Sequence, residues 1–152
     1  MGGGADVAAF SHNNYWKVRP TPFARLTVAD ATLPAATQEA LAAGITALLE
    51  SDLRKVPETT VIEVKLVPAD SWFVDSRRHP GTTGAHLEVG ITVGSNSAEE
   101  KATFMSHAYQ LLADTLGALP PAVYVALYEI NGESYGFNGR SQLARHRERE
   151  KR

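Results

Sequence analysis

Pro22-Phe-Ala-Arg-Leu-Thr-Val28 is the stretch from which the fold of this chain can be worked out. Its apolar residues Ala24, Leu26 and Val28 alternate with Phe23, Arg25 and Thr27, which is the period-two pattern of a strand. A proline suits the first position of a strand, because it has no amide hydrogen to offer to a neighbouring strand. The stretch therefore predicts a short strand that opens at Pro22.

A helix and a second strand are predicted directly downstream. Thr32 and Pro34 supply a cap and a first-turn proline. Apolar residues then recur at steps of three and four, which places them on one helical face. They are Leu41, Ile45, Leu48, Leu49 and Leu53. After Pro57, residues 61–67 read Val-Ile-Glu-Val-Lys-Leu-Val and predict the second strand.

The same order of elements recurs in the second half of the chain. Residues 86–93 predict a third strand, and Ser97 with Glu100 forms the capping box of a second amphipathic helix. Its apolar residues are Phe104, Met105, Ala108, Leu111, Leu112 and Leu116. Gly117 ends that helix, as glycine commonly does. Residues 123–130 are almost wholly apolar, which favours a central strand buried on both faces.

Two consecutive β-α-β units of similar length indicate an α+β fold. Because such crossovers are right-handed, both helices are expected on one face of a four-stranded mixed sheet. The other face of the sheet is expected to be apolar and to need a cover, which an association of subunits can supply.

The chain of 152 residues, 43% of them hydrophobic, is long enough for one domain with a real core. We expect that domain to span residues 20–139. Residues 1–19 begin with a glycine-rich run and predict a flexible amino-terminal extension. Residues 140–152 predict a charged carboxyl-terminal tail, solvated or frayed as a helix, with nucleic-acid contact as a weaker alternative.

Composition argues against several classes of function. A net charge of −2 gives no reason to expect a nucleic-acid partner, and without cysteine there is no disulfide, thiolate metal site or cysteine nucleophile. His86 and His107 have no partners at metal-ligand spacing, so we expect no metal and no other cofactor. No apolar run approaches the roughly 20 residues that span a bilayer, which predicts a cytoplasmic protein without a membrane partner.

Three stretches carry a resemblance to a known family. They are Pro22 at the opening of the first strand, Val67-Pro68 followed by Trp72-Phe73, and Val123-Tyr-Val-Ala-Leu-Tyr-Glu-Ile-Asn-Gly-Glu-Ser-Tyr-Gly-Phe-Asn-Gly139. In this order and spacing they resemble the tautomerase superfamily, which includes 4-oxalocrotonate tautomerase and macrophage migration inhibitory factor. Val74-Asp75 departs from the pattern, because it replaces glycines of that family. The resemblance implies a trimer.

The resemblance also implies a chemistry for Pro22. Members of the superfamily use an amino-terminal proline as an acid/base, and their substrates are small keto acids or enols. An α-amino group has a reference pKa of about 7.7–8.0, and an apolar pocket lowers it further. Such an amine removes a proton beside a carbonyl and returns it at another carbon, which is keto–enol tautomerisation or a double-bond shift.

Substrate-binding candidates come from the resemblance and from charge. The resemblance implies Lys55 as the partner of a substrate carboxylate, and Tyr124, Tyr135 and Phe137 as an aromatic wall with a hydroxyl donor. A solvated lysine and ordinary core aromatics are the alternatives. The loop after Trp72-Phe73 contains a cationic cluster of Arg77, Arg78 and His79. Of these, Arg77 and Arg78 are candidates for binding an anionic substrate, and a solvated loop is the alternative.

The 21 residues ahead of Pro22 leave two hypotheses. Inside the Thr21–Pro22 peptide bond, the proline nitrogen has no usable lone pair or proton. If Pro22 becomes the free amino terminus, the chain is expected to be a trimeric, cofactor-independent tautomerase. If the leader stays in place, the chain is expected to be a proline-blocked homologue that acts as a non-catalytic binding or assembly protein.

Overall fold

A computed structural model describes residues 22–151, so the extension predicted over residues 1–19 lies outside the described residues. The strands of the main sheet are β1 (Phe23–Val28), β2 (Val61–Leu66), β3 (Ala85–Thr92) and β4 (Tyr124–Ile130). The two long helices are α1 (Ala35–Leu53) and α2 (Ala98–Leu116). A short hairpin, β5 (Gly136–Phe137) and β6 (Arg140–Ser141), leads into helix α3 (Gln142–Glu150).

The four long strands form one mixed sheet in the order β2-β1-β3-β4. Each β-α-β unit contributes a parallel pair, β1 with β2 and β3 with β4. The two units meet at the antiparallel pair of β1 and β3, in which Leu26 lies opposite Leu87. The four-stranded mixed sheet predicted from the sequence is confirmed.

The hydrophobic core lies between one face of this sheet and the two long helices. Alternate strand residues and one face of each helix are fully buried there, as their periods predict. The largest apolar members are Leu26, Leu41, Ile45, Leu49, Leu53, Leu87, Ile91, Phe104 and Leu112. Full burial of one such side chain contributes about 1.5–3 kcal/mol. This layer therefore supplies most of the apolar burial that holds the two units together.

The helix ends agree with the sequence in one case and differ in another. Ser97 and Glu100 form the predicted capping box at the start of α2, and Gly117 ends that helix with a φ of 80°. Thr32 does not cap α1: its amide and hydroxyl both donate to the Asp30 carboxylate, and Pro34 stands at the cap position without a side-chain bond. The hydrogen-bonding groups of Thr32 are thus used within the turn before α1 and do not cap the helix.

The central position predicted for residues 123–130 is wrong. β4 is an edge strand, because its only neighbour among residues 22–151 is β3. Tyr124 and Tyr128 on its outer side are 70% and 52% exposed. The open sheet face is also less apolar than predicted, because Arg25 lies on it between the carboxylates of Glu63 and Glu88, at 2.9 and 3.1 Å.

The charged segment from residue 140 to residue 150 contains a helix, as one form of the predicted tail does, and the first turn of that helix is partly buried. It forms strand β6 and helix α3, which Ser141 caps by accepting from the Ala144 amide. Leu143 is buried, and its amide donates to the carbonyl of Gly132. The helix is thus tied to the turn that precedes β5.

Candidate functional site

Pro22 lies buried at the opening end of β1. Its carbonyl oxygen accepts a hydrogen bond of 3.3 Å from the amide of Val61, the first residue of β2. Because β1 and β3 are antiparallel, the last residues of β3 lie at the same end of the sheet as Pro22. The end of β4 lies there too, since Ile130 accepts from the amide of Val93. The starts of β1 and β2 and the ends of β3 and β4 therefore lie at the end of the sheet where Pro22 stands.

The Tyr135 hydroxyl is held beside this proline from the carboxyl-terminal part of the chain. It accepts from the amide of Phe23 at 2.7 Å and donates to the carbonyl of Gly90 at 3.0 Å. Burial raises the pKa of the Tyr135 phenol, so the hydroxyl is neutral at ordinary pH. A substrate bound at Pro22 would thus meet a protonated hydroxyl whose position two backbone groups define.

Lys55 is a buried lysine just beyond the carboxyl end of α1. Its side chain is 1% exposed, and Nζ donates to the Ser95 hydroxyl at 3.1 Å. Burial, with a further contribution from the charge of Arg54, lowers the pKa of Lys55 from 10.5 to about 7. The amine is therefore only partly charged near neutral pH, whereas a solvated lysine would be fully charged.

A set of polar contacts joins α1 to the start of α2 around this lysine. Arg54 Nε donates to one carboxylate oxygen of Glu100 at 2.9 Å, and its Nη2 donates to the other and to the carbonyl of Ser95, both at 3.2 Å. The Asn96 amide donates to the carbonyl of Leu53 at 3.0 Å. The hydrogen bonds that Glu100 accepts, first those from Arg54 and then that from the Ser97 amide, lower the pKa of its carboxyl to about 2. The loop that carries Ser95 is consequently fixed on both sides.

Phe137 belongs to the hairpin next to Tyr135, but its ring is partly covered. The guanidinium of Arg145 lies 3.8 Å from the ring centroid and donates to the Phe137 carbonyl at 3.1 Å. This cation–π pair packs helix α3 against the hairpin.

Tyr124, Arg77 and Arg78 lie at the opposite end of the sheet from Pro22. Tyr124 opens β4 and is opposite His86, near the start of β3. Arg77 is 71% exposed and pairs with Asp75, and Arg78 stacks on the ring of Phe73 and donates to the carbonyl of Asp70. Within one chain the structure does not bring these three predicted residues to the proline, and their substrate role stays a prediction.

The sequence did not reveal Ser95, Arg54 and Glu100 as parts of this region. The sequence pattern that involves Glu100 is its capping box with Ser97. That pattern predicts the start of α2, but it does not predict that Glu100 pairs with Arg54. Among residues 22–151 no group of three or more His, Asp or Glu side chains is placed to hold a metal ion. No helix of the same residues is long and apolar enough to cross a membrane.

No family model matches the sequence, and no curated protein sequence matches it significantly. Solved structures do match its fold. The symmetric trimer of wild-type Q0 fused 4-OT superposes with a TM-score of 0.69 at 20% identity, over 83% of this chain and 98% of the other. Pt0534 inactivated by 2-oxo-3-pentynoate gives 0.69 at 15%, over 83% and 98%. The chain has the tautomerase-superfamily fold.

A third structure with this fold is the macrophage migration inhibitory factor-like protein of Entamoeba histolytica. Its TM-score is 0.62 at 14% identity, over 79% of this chain and 97% of the other. The tautomerase-superfamily fold predicted from Pro22 and the stretch 123–139 is thereby confirmed. At identities of 14–20%, the comparison concerns the fold, and the chemistry has to be argued from the residues of this chain.

Proposed function

We propose that this chain is a tautomerase that moves a proton within a small keto acid or its enol, with Pro22 as the acid/base. The observation that carries the proposal is the position of the Tyr135 hydroxyl, 2.7 Å from the amide that follows Pro22. The proline, a neutral hydroxyl donor and a buried lysine all lie at one end of the sheet. No metal or cofactor is needed for such a transfer.

The proposed reaction begins with Pro22 as a free, neutral amine. Burial disfavours the ammonium form and so keeps the pKa of this amine at or below the reference value of about 7.7–8.0. The amine takes the proton from the enol hydroxyl or from the carbon beside the carbonyl. The resulting ammonium returns the proton at a second carbon, so that the substrate is isomerised and the enzyme regenerated.

Tyr135 and Lys55 have distinct proposed roles. The Tyr135 hydroxyl donates to the substrate oxygen as charge develops on it, and gives up its bond to the Gly90 carbonyl to do so. Lys55 binds the substrate carboxylate. For this, Nζ must leave Ser95, because its side chain is buried in the present conformation. A nearby anion would raise the lowered pKa of this lysine and so favour its charged form.

We further propose that the active protein is a homotrimer. The trimeric state of fused 4-OT supports this assembly, and so do the exposed aromatic residues on the open sheet face, Phe23, Tyr124 and Tyr128. In a trimer, a neighbouring subunit would place its Tyr124 and its loop with Arg77 and Arg78 near Pro22. This arrangement would unite the predicted site residues that one chain keeps apart.

The test compares two forms of the protein. One begins at Pro22 after removal of an initiator methionine, and the other carries all 152 residues. Ketonisation of phenylpyruvate enol is followed by absorbance. We expect catalysis only with the form that begins at Pro22, and we expect Pro22→Ala in that form to abolish it. Equal rates for the two forms, or parental activity after Pro22→Ala, would exclude Pro22 as the base.

A chemical label gives an independent readout of the same amine. 2-Oxo-3-pentynoate, which inactivates Pt0534, is an electrophile that a neutral amine can attack. We expect it to add once to the form that begins at Pro22, with the mass gain on the first peptide. Labelling of Lys55 in its place would assign the nucleophilic amine to the lysine.

The alternative function is a non-catalytic binding or assembly protein. It is favoured by the 21 residues that precede Pro22 in the sequence, because they make its nitrogen a peptide nitrogen. Intact mass and terminal sequencing of the protein from its native host separate the two functions. A terminus at Pro22 supports the tautomerase, and a retained Thr21–Pro22 bond supports the binding protein.

A further inference from the structure

The outer flank of α1 encloses an apolar groove together with β2, which is an edge strand of the sheet among residues 22–151. The volume of the groove is about 520 Å³, and its lining includes Ala42, Ala43, Thr46 and Ala47 of α1, with Ile62 of β2 on the other side. Ile62 packs against the hydrophobic core, so the groove lies on the helical side of the sheet. It is therefore separate from the open sheet face that the proposed trimer covers.

The described lining of the groove is mostly apolar, because its hydroxyl groups are already bonded. The Thr46 hydroxyl donates to the carbonyl of Ala42 at 2.9 Å. The hydroxyl of Thr60, which also lines the groove, donates to the carbonyl of Val56 at 2.7 Å. Burial of an aromatic or aliphatic side chain on such a surface removes apolar area from water on both partners. The groove therefore favours an aromatic or aliphatic occupant.

One end of the groove is acidic, and this end lies next to Pro22. Glu50 belongs to the lining, and Glu58 is exposed in the short turn before β2. The amide of Val61, the first residue of β2, donates to the Pro22 carbonyl. The 21 residues that precede Pro22 therefore join the described chain beside the acidic end of the groove.

The leader, residues 1–21, has the chemistry that this groove favours. Residues 15–19 read Tyr-Trp-Lys-Val-Arg, so two aromatic side chains stand directly before a segment with two cations. No Asp or Glu occurs between residue 7 and residue 21. The aromatic rings suit the apolar wall of the groove, and the cations of Lys17 and Arg19 suit its acidic end.

The leader is also long enough to reach the groove. Trp16 stands six positions before Pro22, and six extended residues span up to about 20 Å. From Ala42 to Glu50, α1 rises only about 12 Å. Going back along the chain from Pro22, the cations come before the aromatic rings, and the acidic end of the groove comes before its apolar part. The order of the side chains along the leader therefore agrees with the order of the surfaces along the groove.

We propose that residues 15–19 dock in the groove of the same chain. The Trp16 ring packs on the alanines of α1, and Lys17 and Arg19 lie beside the two carboxylates of the acidic end. Because the docked residues adjoin the Thr21–Pro22 bond, docking restrains this bond, and the leader has to leave the groove before a protease can cut there. The proposal rests on the groove and the leader and not on the chemistry of the proline, so it can fail while the tautomerase proposal stands.

Cleavage by a lysine-specific protease tests the proposal on the 152-residue protein. The digestion is done under native conditions, and intact mass follows the loss of residues 1–17. A docked leader is cut after Lys17 only while it is out of the groove, so the cleavage rate follows the undocked population. We expect a rate at least about tenfold below that of a synthetic peptide of residues 10–21. Equal rates would refute docking.

Two matched variants locate the docked leader. Ala43→Arg puts a long cationic side chain into the groove, and we expect it to raise the cleavage rate at least about tenfold. Ala102→Arg adds the same side chain at an exposed position of α2 and should leave the rate unchanged. Arginine is nearly as good a helix former as alanine, so neither variant should disturb its helix. Equal rates for the two variants would place the leader elsewhere and overturn the proposal.

Fluorescence of Trp16 gives a second readout of docking. The chain has two tryptophans, so Trp72→Phe leaves Trp16 as the only one. We expect acrylamide to quench Trp16 less in the native protein than in guanidinium chloride, and Ala43→Arg to remove most of that difference. Full quenching in the native protein would contradict docking.

One further variant covers the case in which circular dichroism shows Ala43→Arg to be unfolded. Glu58→Lys reverses a charge at an exposed position beside the groove, and we expect it to raise the cleavage rate about two- to fivefold at low salt. An unchanged rate would then reject the site. Protection that is lost on dilution, with the particle mass constant, would assign the leader to a groove on another particle and exclude docking within the chain.

Discussion

The Tyr135 hydroxyl and the Phe23 amide are 2.7 Å apart, although 112 residues separate them in the chain. This hydrogen bond joins the loop before β5 to the first amide after Pro22. The same hydroxyl also donates to the carbonyl of Gly90. One side chain therefore links the loop before β5 to the start of β1 and to β3. The position of Tyr135 is thus set by the backbone on which the proposed acid/base lies.

Tyr135→Phe should lower kcat more than it raises KM in the form that begins at Pro22. The ring stays, but the donor to the developing oxyanion is lost, and we expect kcat to fall by about 10²-fold. Steady-state ketonisation of phenylpyruvate measures both constants. Tyr109→Phe, at an exposed position of α2, is the control and should change neither. A rise in KM alone would show that Tyr135 serves binding only.

Lys55→Met should stabilise the protein most at low pH. The folded pKa of Lys55 is about 7 and the unfolded value about 10.5, so folding carries the full cost of burying the charge below pH 7. That cost disappears as pH rises from 7 towards 10.5. At pH 6 we expect a gain on the order of a few kcal/mol in the free energy of unfolding. Urea denaturation at pH 6 and pH 10 measures it.

Lys65→Met is the control for this prediction, since Lys65 is an exposed lysine on β2. It should change the free energy of unfolding little at either pH. A gain from Lys55→Met that is equal at pH 6 and pH 10 would show that packing, and not the buried charge, is responsible.

Glu100→Gln should destabilise the protein near neutral pH and have no effect in strong acid. The folded pKa of Glu100 is about 2 and the unfolded value about 4.5, so its pairing with Arg54 contributes fully above pH 4.5. The contribution is lost as pH falls towards 2. We expect about 1 kcal/mol at pH 7, because the pair is partly exposed and solvent screens it.

Denaturation curves at pH 7 and pH 2.5 test whether the loss of stability caused by Glu100→Gln decreases at low pH. Glu99→Gln removes the same charge from the neighbouring position of α2 and should cost less at pH 7. A difference between Glu100→Gln and the parent that persists undiminished at the lower pH would contradict the ion-pair explanation.

Gly136→Ala should open the hairpin and move Tyr135. A Cβ at Gly136 would overlap the carbonyl oxygen of Arg140, which is backbone and cannot rotate away. We expect a loss of roughly 1–3 kcal/mol in stability and faster amide exchange at Gln142, which donates to the Tyr135 carbonyl at 2.8 Å. Gly139→Ala meets open space and carries only the strain of its φ of 82°, so it should cost less.

Light scattering should report about three chains of 16.4 kDa per particle. Tyr128→Arg puts a charge on the open sheet face and is expected to lower the particle mass. Tyr109→Arg on α2 makes the same change on the helical face and should leave the mass alone. A stable monomer of the parent protein would contradict the trimer.

Much of the fold was predictable because its signals are local. The periods of residues 23–28 and 41–53 identify a strand and a helix, and the Ser97–Glu100 capping box marks the start of α2. The place of β4 was not predictable in this way. An apolar run indicates burial without saying what covers it, so the exposed Tyr124 and Tyr128 at the sheet edge came only from the structure.

The candidate site was likewise predictable only in part. The sequence alone pointed to Pro22, Lys55 and Tyr135, because residue type and order along the chain were enough for the resemblance. Only the tertiary structure showed that the Tyr135 hydroxyl meets the backbone beside Pro22, and that Lys55 is buried on Ser95. Such contacts depend on which strands pair. Their energies come from burial and hydrogen-bond geometry between segments that are far apart in the chain, so no local pattern records them.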